Sequence, residues 1–579
     1  VTRTPDLFTG KHYQLNADEQ KKFDLMWKVA EAATQKIRAA FPHIKIYLGN
    51  GGPQLMEEFL RHKYPADMFD VLGNESAAFQ RLPESQPLDF VANNASLWME
   101  RKLLDDYGYK NKPLGQCYEI TYPSSNPGNL TLHDQANYVI RNVMHSLAWK
   151  VPAIRFEGIA DPGNSYYFSN WGGTGLMFGK PNLSPKPLYV AVATMTRMLD
   201  GATFSRMLPT PSNVIYAFEF KKSDGKFITC IWTPNTDYEV AIVPPKIKQT
   251  FTVTDLMGNF KTLSAPDWNT NPEIIASHDP VFVETTGPIR LATRSPITDK
   301  MPAQKYFSIN ALNDATQWQL NNGDNDELDA YNFMQPRVAG EFYVTNKSKD
   351  DGEKDMLEIH AKFLDVIWHG NVGKTNNSIK NWWIPRYTQL KLKTPKQIDG
   401  KPTHIGLMVY GNAGWGRIIF ELEDAAGQRW ISIGAEQKGA PNPWLADWLS
   451  KDEFDKLQNA TTQSAGVSDW NSNDVWGRSV INFAGWHYMD FPLPGNYSGE
   501  GYHWPYTSQW RCVKADGSRG DYIVHYPLTF KALNITARAK VLYGTEVKYV
   551  YRPEIYLKDL VATYGDPDTA FWKPDTGQR

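Results

Sequence analysis

The sequence predicts an α/β region followed by two all-β regions, and three observations carry that reading. Residues 1–204 alternate strand-like and helix-like runs. From residue 205 the helical period stops, and short alternating strands separated by turn residues take over. Residues 307–579 are again strand-rich, with Trp-rich loops between the strands.

The elements follow in order. Residues 17–40 place apolar side chains at helical spacing, and HIKIYLGNGGP (43–53) is a short β-rich run closed by Gly and Pro. LMEEFLRHKY (55–64) reads as helix and DMFDVLGNES (67–76) as a buried strand. LDFVANNASLWMERKLLDDYG (88–108) is a helix ending at Gly108, and KPLGQCYEITYP (112–123) is the next strand. A strong amphipathic helix spans 132–150, VPAIRFEGIADPG (151–163) is the strand after it, and a last helix covers 185–201. Strands separated by helices argue for parallel pairing through crossover connections. VIYAFEF, KFITCIW, EVAIV, TFTVTDL and PVFVETT then make a compact antiparallel β domain over 205–296. Residues 297–306 are a linker, and 307–579 read as a β-sandwich of jelly-roll type.

Composition bounds the function. At roughly 100–200 residues per domain, 579 residues predict three or four domains. Lys and Arg number 61 against 63 Asp and Glu, so no charge footprint points to nucleic acid or to an anionic membrane surface. No apolar run reaches the ~18 residues of a spanning helix. Cys117, Cys230 and Cys512 are too few and too scattered for a disulfide framework or a zinc site. The chain starts at Val1 without a basic and apolar leader, which suggests a removed targeting segment or a piece of a longer product. The unusual term is aromatic content, 13%, with 20 Trp and 29 Tyr. Aromatic faces suit sugar rings, and they are also ordinary core filler.

In parallel α/β folds ligands meet the carboxyl ends of the strands. Strand 43–48 ends at Asn50, and strand 67–73 at Asn74 and Glu75. Strand 114–120 carries Tyr118 and Glu119 before Tyr122. Strand 152–159 carries Glu157 and ends at Asp161, with Trp171 in the loop beyond. A carboxylate late in such a strand, flanked by aromatics, suits a glycosidase nucleophile, which must be rigidly placed and kept ionised. Acidic residues at strand ends also simply cap the next helix.

These residues carry a resemblance. KPLGQCYEITYP, the amphipathic helix after it, VPAIRFEGIADPG, and GLMFGKPNLSPKPLYVAVATMTRMLDGATF (175–204) resemble the C-terminal half of a clan A glycoside hydrolase barrel. The resemblance implies strands five to eight of a TIM-type (β/α)8 barrel, with Glu119 at the nucleophile position. VTDLMGNFKTL and DPVFVE (279–284) resemble the small β domain that often follows such barrels. Residues 403–434 and PEIYLKDLVATYG resemble jelly-roll carbohydrate-binding-like domains. A whole barrel needs eight strands and about 250 residues. The first four strands, and with them the family's acid/base, are therefore expected from a missing segment or a partner chain, and an oligomer is a further option. Glu75 and Glu157 are carboxyls within this chain, but neither stands where the family puts its acid.

Other signals are weaker. The histidines show no metal-ligand spacing, no Walker or dinucleotide pattern occurs, and no cofactor is expected. NDELD (325–329) is a candidate for a structural calcium, with a solvated loop the commoner outcome. Trp444, Trp448 and Trp476 sit in Gly/Asn/Pro-rich loops and are candidates for stacking on sugars or on a protein neighbour, whereas Trp486 lies within a strand and reads as core. Two functions compete. One is a secreted, periplasmic or cell-surface retaining hydrolase of a polysaccharide. The other is a non-catalytic carbohydrate-binding or scaffold protein with a glycosidase-like barrel.

Overall fold

The computed structural model describes residues 15–49, 53–74, 83–84, 93–116, 131–156, 158–161 and 173–200, most of 201–321, and strand segments between 335 and 564. The described residues are mostly β-sheet with few helices.

The first region begins with α1 (Ala17–Ala40). Asn16 caps it: its side-chain oxygen accepts from the N–H of Asp18 and Glu19, and Glu19 accepts from the Asn16 N–H in return. There follow β1 (Tyr47–Gly49), α2 (Pro53–Arg61), β2 (Val71–Asn74), α3 (Asn93–Tyr107), β3 (Leu114–Gln116), α4 (Leu132–Ala148) and α5 (Pro187–Leu199). The three strands pair in sequence order, β1-β2-β3, and both ladders are parallel.

Leu48, Leu72 and Leu114 stand side by side in these ladders and point to one face. They share a core with Phe23, Met26 and Trp27 of α1, Met56, Phe59 and Leu60 of α2, and Leu97, Leu103 and Leu104 of α3. All three helices therefore lie on the same side of the sheet. Sequential parallel strands joined by crossovers of one hand produce that layering. Half of a (β/α)8 barrel and one βαβαβ half of a doubly wound sheet share this layering. Among the described residues the sheet does not close.

The expected fourth strand, 152–159, forms no ladder among the described residues. The main chain after it turns to the returning loop instead: Met177 donates to Ile159 O at 2.8 Å and Asp161 donates to Met177 O at 3.0 Å.

The second region is antiparallel. Strands β4 (Ala202–Met207), β5 (Tyr216–Lys222), β6 (Phe227–Trp232), β7 (Tyr238–Val243), β8 (Thr250–Thr254), β9 (Phe260–Ser264), β10 (Glu273–Ala276), β11 (Val281–Thr285) and β12 (Arg290–Pro296) form two sheets. Their orders are β4-β5-β6-β11-β8-β9 and β10-β7-β12. Alternate residues of β6 serve two cores. Ile231 packs between the two sheets with Val240 and Ile242. Ile228, Cys230 and Trp232 pack against Val139, Ile140 and Val143 of α4 and Leu188 and Met195 of α5. Burial on both faces explains why FITCIW is apolar at every position but Thr229.

The third region is a sandwich. One sheet joins the strands Phe342–Lys347, Met356–Ala361, Ile555–Thr563, His404–Asn412 and Ala484–Pro492. The other joins Trp318–Asn321, Trp383–Ile398, Leu528–Thr536, Gly416–Glu423, Arg429–Ile431 and Arg511–Val513. Their inner faces share one core that includes Leu407, Val409, Phe420, Trp430, Phe491, Trp510, Phe530 and Leu557.

Candidate active site at the carboxyl edge of the parallel sheet

The parallel ladders align the strand ends. Gly49 stands beside Gly73, Gly73 beside Gly115, and Asn74 beside Gln116. The chain thus leaves β1, β2 and β3 from one edge, directly before Asn50, Glu75 and the Tyr118–Glu119 pair in the sequence.

The face opposite the leucines carries Tyr47, Val71 and the glycines. The Tyr47 ring lies across two strands. A Cβ added at Gly73 would sit 2.7 Å from Tyr47 Cδ1, and one added at Gly115 would sit 2.4 Å from Tyr47 Cε1. Glycine at both positions is therefore what lets the ring lie flat on the sheet just below the rim.

Of the residues singled out by sequence, Asn74 ends β2. Asp161 is buried at 6% exposure. Asn50, Glu75, Tyr118, Glu119, Tyr122, Glu157, Trp171, Trp444, Trp448 and Trp476, with the NDELD stretch, lie outside the described residues. The carboxylate of Asp161 is held by protein groups. Its Oδ1 accepts from Gly175 N at 2.8 Å and from Lys186 Nζ at 2.5 Å. Lys186 also donates to Gly173 O at 2.8 Å. These bonds make Asp161 a clamp: it ties the chain before the segment 162–172 to Gly175 beyond it and to the start of α5. Burial pulls the Lys186 ammonium below its ordinary pKa, against the pull of Asp161.

A second buried cluster escaped the sequence reading. Glu84 lies between β2 and α3 in the chain, and its side chain and that of Arg141 on α4 are both fully buried. Arg141 Nε donates to Glu84 Oε1 at 2.6 Å, and Arg141 Nη2 donates to Glu84 Oε2. Trp232 Nε1, from β6, donates to Glu84 Oε1 at 2.7 Å, and His145 Nε2 lies 3.7 Å from the same oxygen. Burial alone would raise the Glu84 pKa, but the Arg141 charge and its hydrogen bonds, with His145 close by, override it and hold the value at about 2. Edge-on rings of Tyr216, Phe218 and Trp232 surround His145. One carboxylate thus joins the segment after β2, a helix and the second region. The usable sequence signal was Arg141 and His145, four residues apart on a helix that also carries the apolar residues Val139, Ile140, Val143 and Met144.

α4 departs from a simple amphipathic helix. Its polar residues Gln135, Asn137, Arg141, Asn142, His145 and Ser146 are buried along with its apolar ones. Gln135 Nε2 donates to Gly173 O at 2.7 Å, so this side holds the same loop that Lys186 holds.

In the sandwich, Trp486 is buried but outside the main core. It clusters with Met356 and Met408, and with Met301, Tyr410, Tyr488 and Tyr556 packed around them, on the opposite face of its sheet. Lys558 Nζ stands 4.1 Å above the Trp486 ring. Among the described residues no group of three or more His, Cys, Asp or Glu side chains is placed to hold a metal ion.

No family model matches the chain, and no curated protein matches it. Solved structures do. A family 39 glycoside hydrolase from the gut symbiont Bacteroides cellulosilyticus is 17% identical with a TM-score of 0.38, over 45% of this chain and 54% of that one. A GH39 β-xylosidase from Caulobacter crescentus is 14% identical with a TM-score of 0.31, over 47% of this chain and 63% of that one. The family 11 carbohydrate-binding module of a cellulosomal cellulase from Clostridium thermocellum is 9% identical with a TM-score of 0.20, over 46% of this chain and 97% of that module. The chain spans between 54% and 63% of the two glycoside hydrolases. Scores of this size fix neither a fold nor an activity for this chain.

Proposed function

We propose that this chain is part of a glycoside hydrolase-like protein that acts on a polysaccharide outside the cytoplasm, by a retaining mechanism with Glu119 as nucleophile. The observation that supports it most is the parallel sheet. Three strands in sequence order, with all their helices on one face, lead from one edge into Asn50, Glu75 and Tyr118–Glu119. In this reading Asn50, Asn74, Glu75, Tyr118, Tyr122, Glu157 and Trp171 line the cleft, and Asp161 positions the loop that carries Trp171.

A retaining mechanism needs a second carboxyl about 5–5.5 Å from the nucleophile. A complementary barrel half supplies it. That acid protonates the leaving oxygen while Glu119 attacks the anomeric carbon, and it then takes a proton from the water that releases the glycosyl-enzyme. The sandwich serves as a carbohydrate-binding appendage, with Trp444, Trp448 and Trp476 as stacking residues. The protein works in the periplasm, at the cell surface or after secretion.

The test is Glu119→Gln in the protein with its complementary half, assayed on a panel of plant and microbial polysaccharides. The expected result is lost hydrolysis with retained binding and an unchanged circular dichroism spectrum. Full activity in the variant removes the nucleophile assignment. Binding without hydrolysis by the unmodified protein, over the whole panel, selects the scaffold reading instead.

A further inference from the structure

β1 is an edge strand. Among the described residues it pairs only with β2. Ile46, just before it, turns its main chain to that neighbour: its O accepts from Val71 N at 3.2 Å, and its N–H donates to Asp70 Oδ2 at 2.8 Å. In a parallel ladder alternate residues bond to opposite sides. Leu48 therefore faces β2, while Tyr47 and Gly49 present N–H and C=O to the open edge.

A groove of about 460 Å³ runs beside that edge. Leu25, Met26, Val29 and Ala30 of α1 form one wall, and Tyr47, Leu48 and Gly49 form the other. Met56 and Phe59 complete it. Leu25 is 63% exposed and Val29 60%, both unusual for apolar residues flanking a core. Met26, Leu48, Met56 and Phe59 also belong to the core beneath, so the groove continues an interface already formed.

We propose that this groove receives a β-strand of the complementary barrel half, running parallel to β1 and apolar at alternate positions. The identity of that partner rests on the half-barrel reading above; the docking itself rests on the edge and the groove. The strand's main chain bonds to Tyr47 and Gly49. Its side chains on the helix side fill the space under Leu25 and Val29, and those on the other side lie beside Tyr47. Parallel addition is the choice that the sheet supports. It extends the order β1-β2-β3 in the same sense, and further strands then cover the face of Tyr47, Val71 and the glycines, as parallel sheets require on both faces. A second copy joined edge to edge about a twofold axis would pair antiparallel and leave that face open.

The test compares amide hydrogen exchange in this chain expressed alone with exchange in the protein isolated from its natural source, together with whatever accompanies it. In the lone chain the amides of Tyr47 and Gly49 exchange fast and that of Leu48 is protected. In the natural protein Tyr47 and Gly49 slow by a hundredfold or more. Val29→Asp, at an exposed site that leaves the fold intact, removes that protection. A photo-crosslinker at position 29 then joins an apolar segment lying outside residues 1–579. Equal exchange at Tyr47 and Gly49 in both samples overturns the proposal. A crosslink to a second copy of this chain, with protection that grows with concentration, also overturns it. Neither readout uses hydrolysis, so a failure here and a failure of Glu119 as nucleophile are seen separately.

Discussion

Arg141→Met tests whether the Glu84 cluster holds the first and second regions together. Glu84 and Arg141 are both fully buried, so among the described residues the substitution leaves an interior carboxylate with the Trp232 indole and His145 beside it. Breaking a buried pair by removing one partner costs about 3–5 kcal/mol. The pKa of Glu84 leads to the same range by another route. It is held at about 2 against an ordinary 4.5, and at 1.36 kcal/mol per unit this corresponds to roughly 3 kcal/mol. The sign follows from the depressed value. The contribution is complete above pH 4.5 and is lost as the pH falls toward 2, because the unfolded chain takes up the proton first. Native-state hydrogen exchange of the α4 amides against urea reads the local opening energy even in a chain of several domains. At pH 7 the opening energy of Arg141→Met falls by about 3–5 kcal/mol, and the gap to the unmodified protein narrows below pH 4.5. Glu84→Leu combined with Arg141→Met recovers much of the loss, since replacing both charges removes the uncompensated one. A gap under about 1 kcal/mol at pH 7, a gap independent of pH, or a double variant as weak as the two losses added would each refute the reasoning.

Three further outcomes follow from the described geometry. Lys186→Met strands the Asp161 carboxylate and lowers the opening energy of the first turn of α5 by about 3–5 kcal/mol, and adding Asp161→Asn restores part of it; exchange at Leu188 to Ala191 reports both. Gly115→Ala places a Cβ 2.4 Å from Tyr47 Cε1 and 2.6 Å from Val71 Cγ1. Its overpacking cost is about 1–3 kcal/mol in urea denaturation, and Tyr47→Ala relieves it only if the ring lies where the geometry has it. Cys230 is fully buried between β6 and the helices, and burial pushes its thiol pKa up. Its thiol reacts with a thiol reagent at pH 8 only once denaturant opens the second region, and fast labelling of Cys230 itself in the native protein, mapped by peptide mass, contradicts that packing.

The legible parts of the fold were those with a local cause. α1 runs from Ala17 to Ala40, the bounds that periodicity predicts, because Asn16 and Glu19 close its first turn and the apolar period is unbroken. β1, β2 and β3 fall inside the predicted runs because each is a short apolar stretch that ends in a glycine or an amide. The run at 152–159 has the same look, yet its carboxyl half bonds to Met177. Nothing local announces that partner, and Pro152 offers no N–H to a ladder. Glu84 is the clearest case. Its partners stand 57 and 148 residues away, on a helix and on a strand of another region, so no window of sequence contains the cluster. Trp486 is buried in a strand as its alternation predicts, but alternation does not say which face of the sheet it joins, and it packs with Met356 and Met408 away from the larger core.

The aromatic excess therefore divides differently once the packing is known. Trp27 stacks on Phe59 at 5.7 Å with Tyr64 edge-on to both, inside the first core. Tyr216 stacks on Trp232 at 5.3 Å beneath the Glu84 cluster, and Trp430 and Trp510 are fully buried in the sandwich. These rings stabilise three cores, so composition by itself no longer favours sugar binding. The case for a glycan rests on position instead. In the sequence, Asn50, Glu75 and the Tyr118–Glu119 pair follow the aligned carboxyl ends of β1, β2 and β3. Two buried ion pairs, Glu84–Arg141 and Asp161–Lys186, fasten the segments that follow β2 and the expected fourth strand. A protein that only needed a stable core would gain little from burying two salt bridges, since apolar replacements stabilise as well or better. In the proposed reading the two fastened segments serve to hold the surroundings of Glu119 in place, because a nucleophile displaced by about an ångström loses much of its effect.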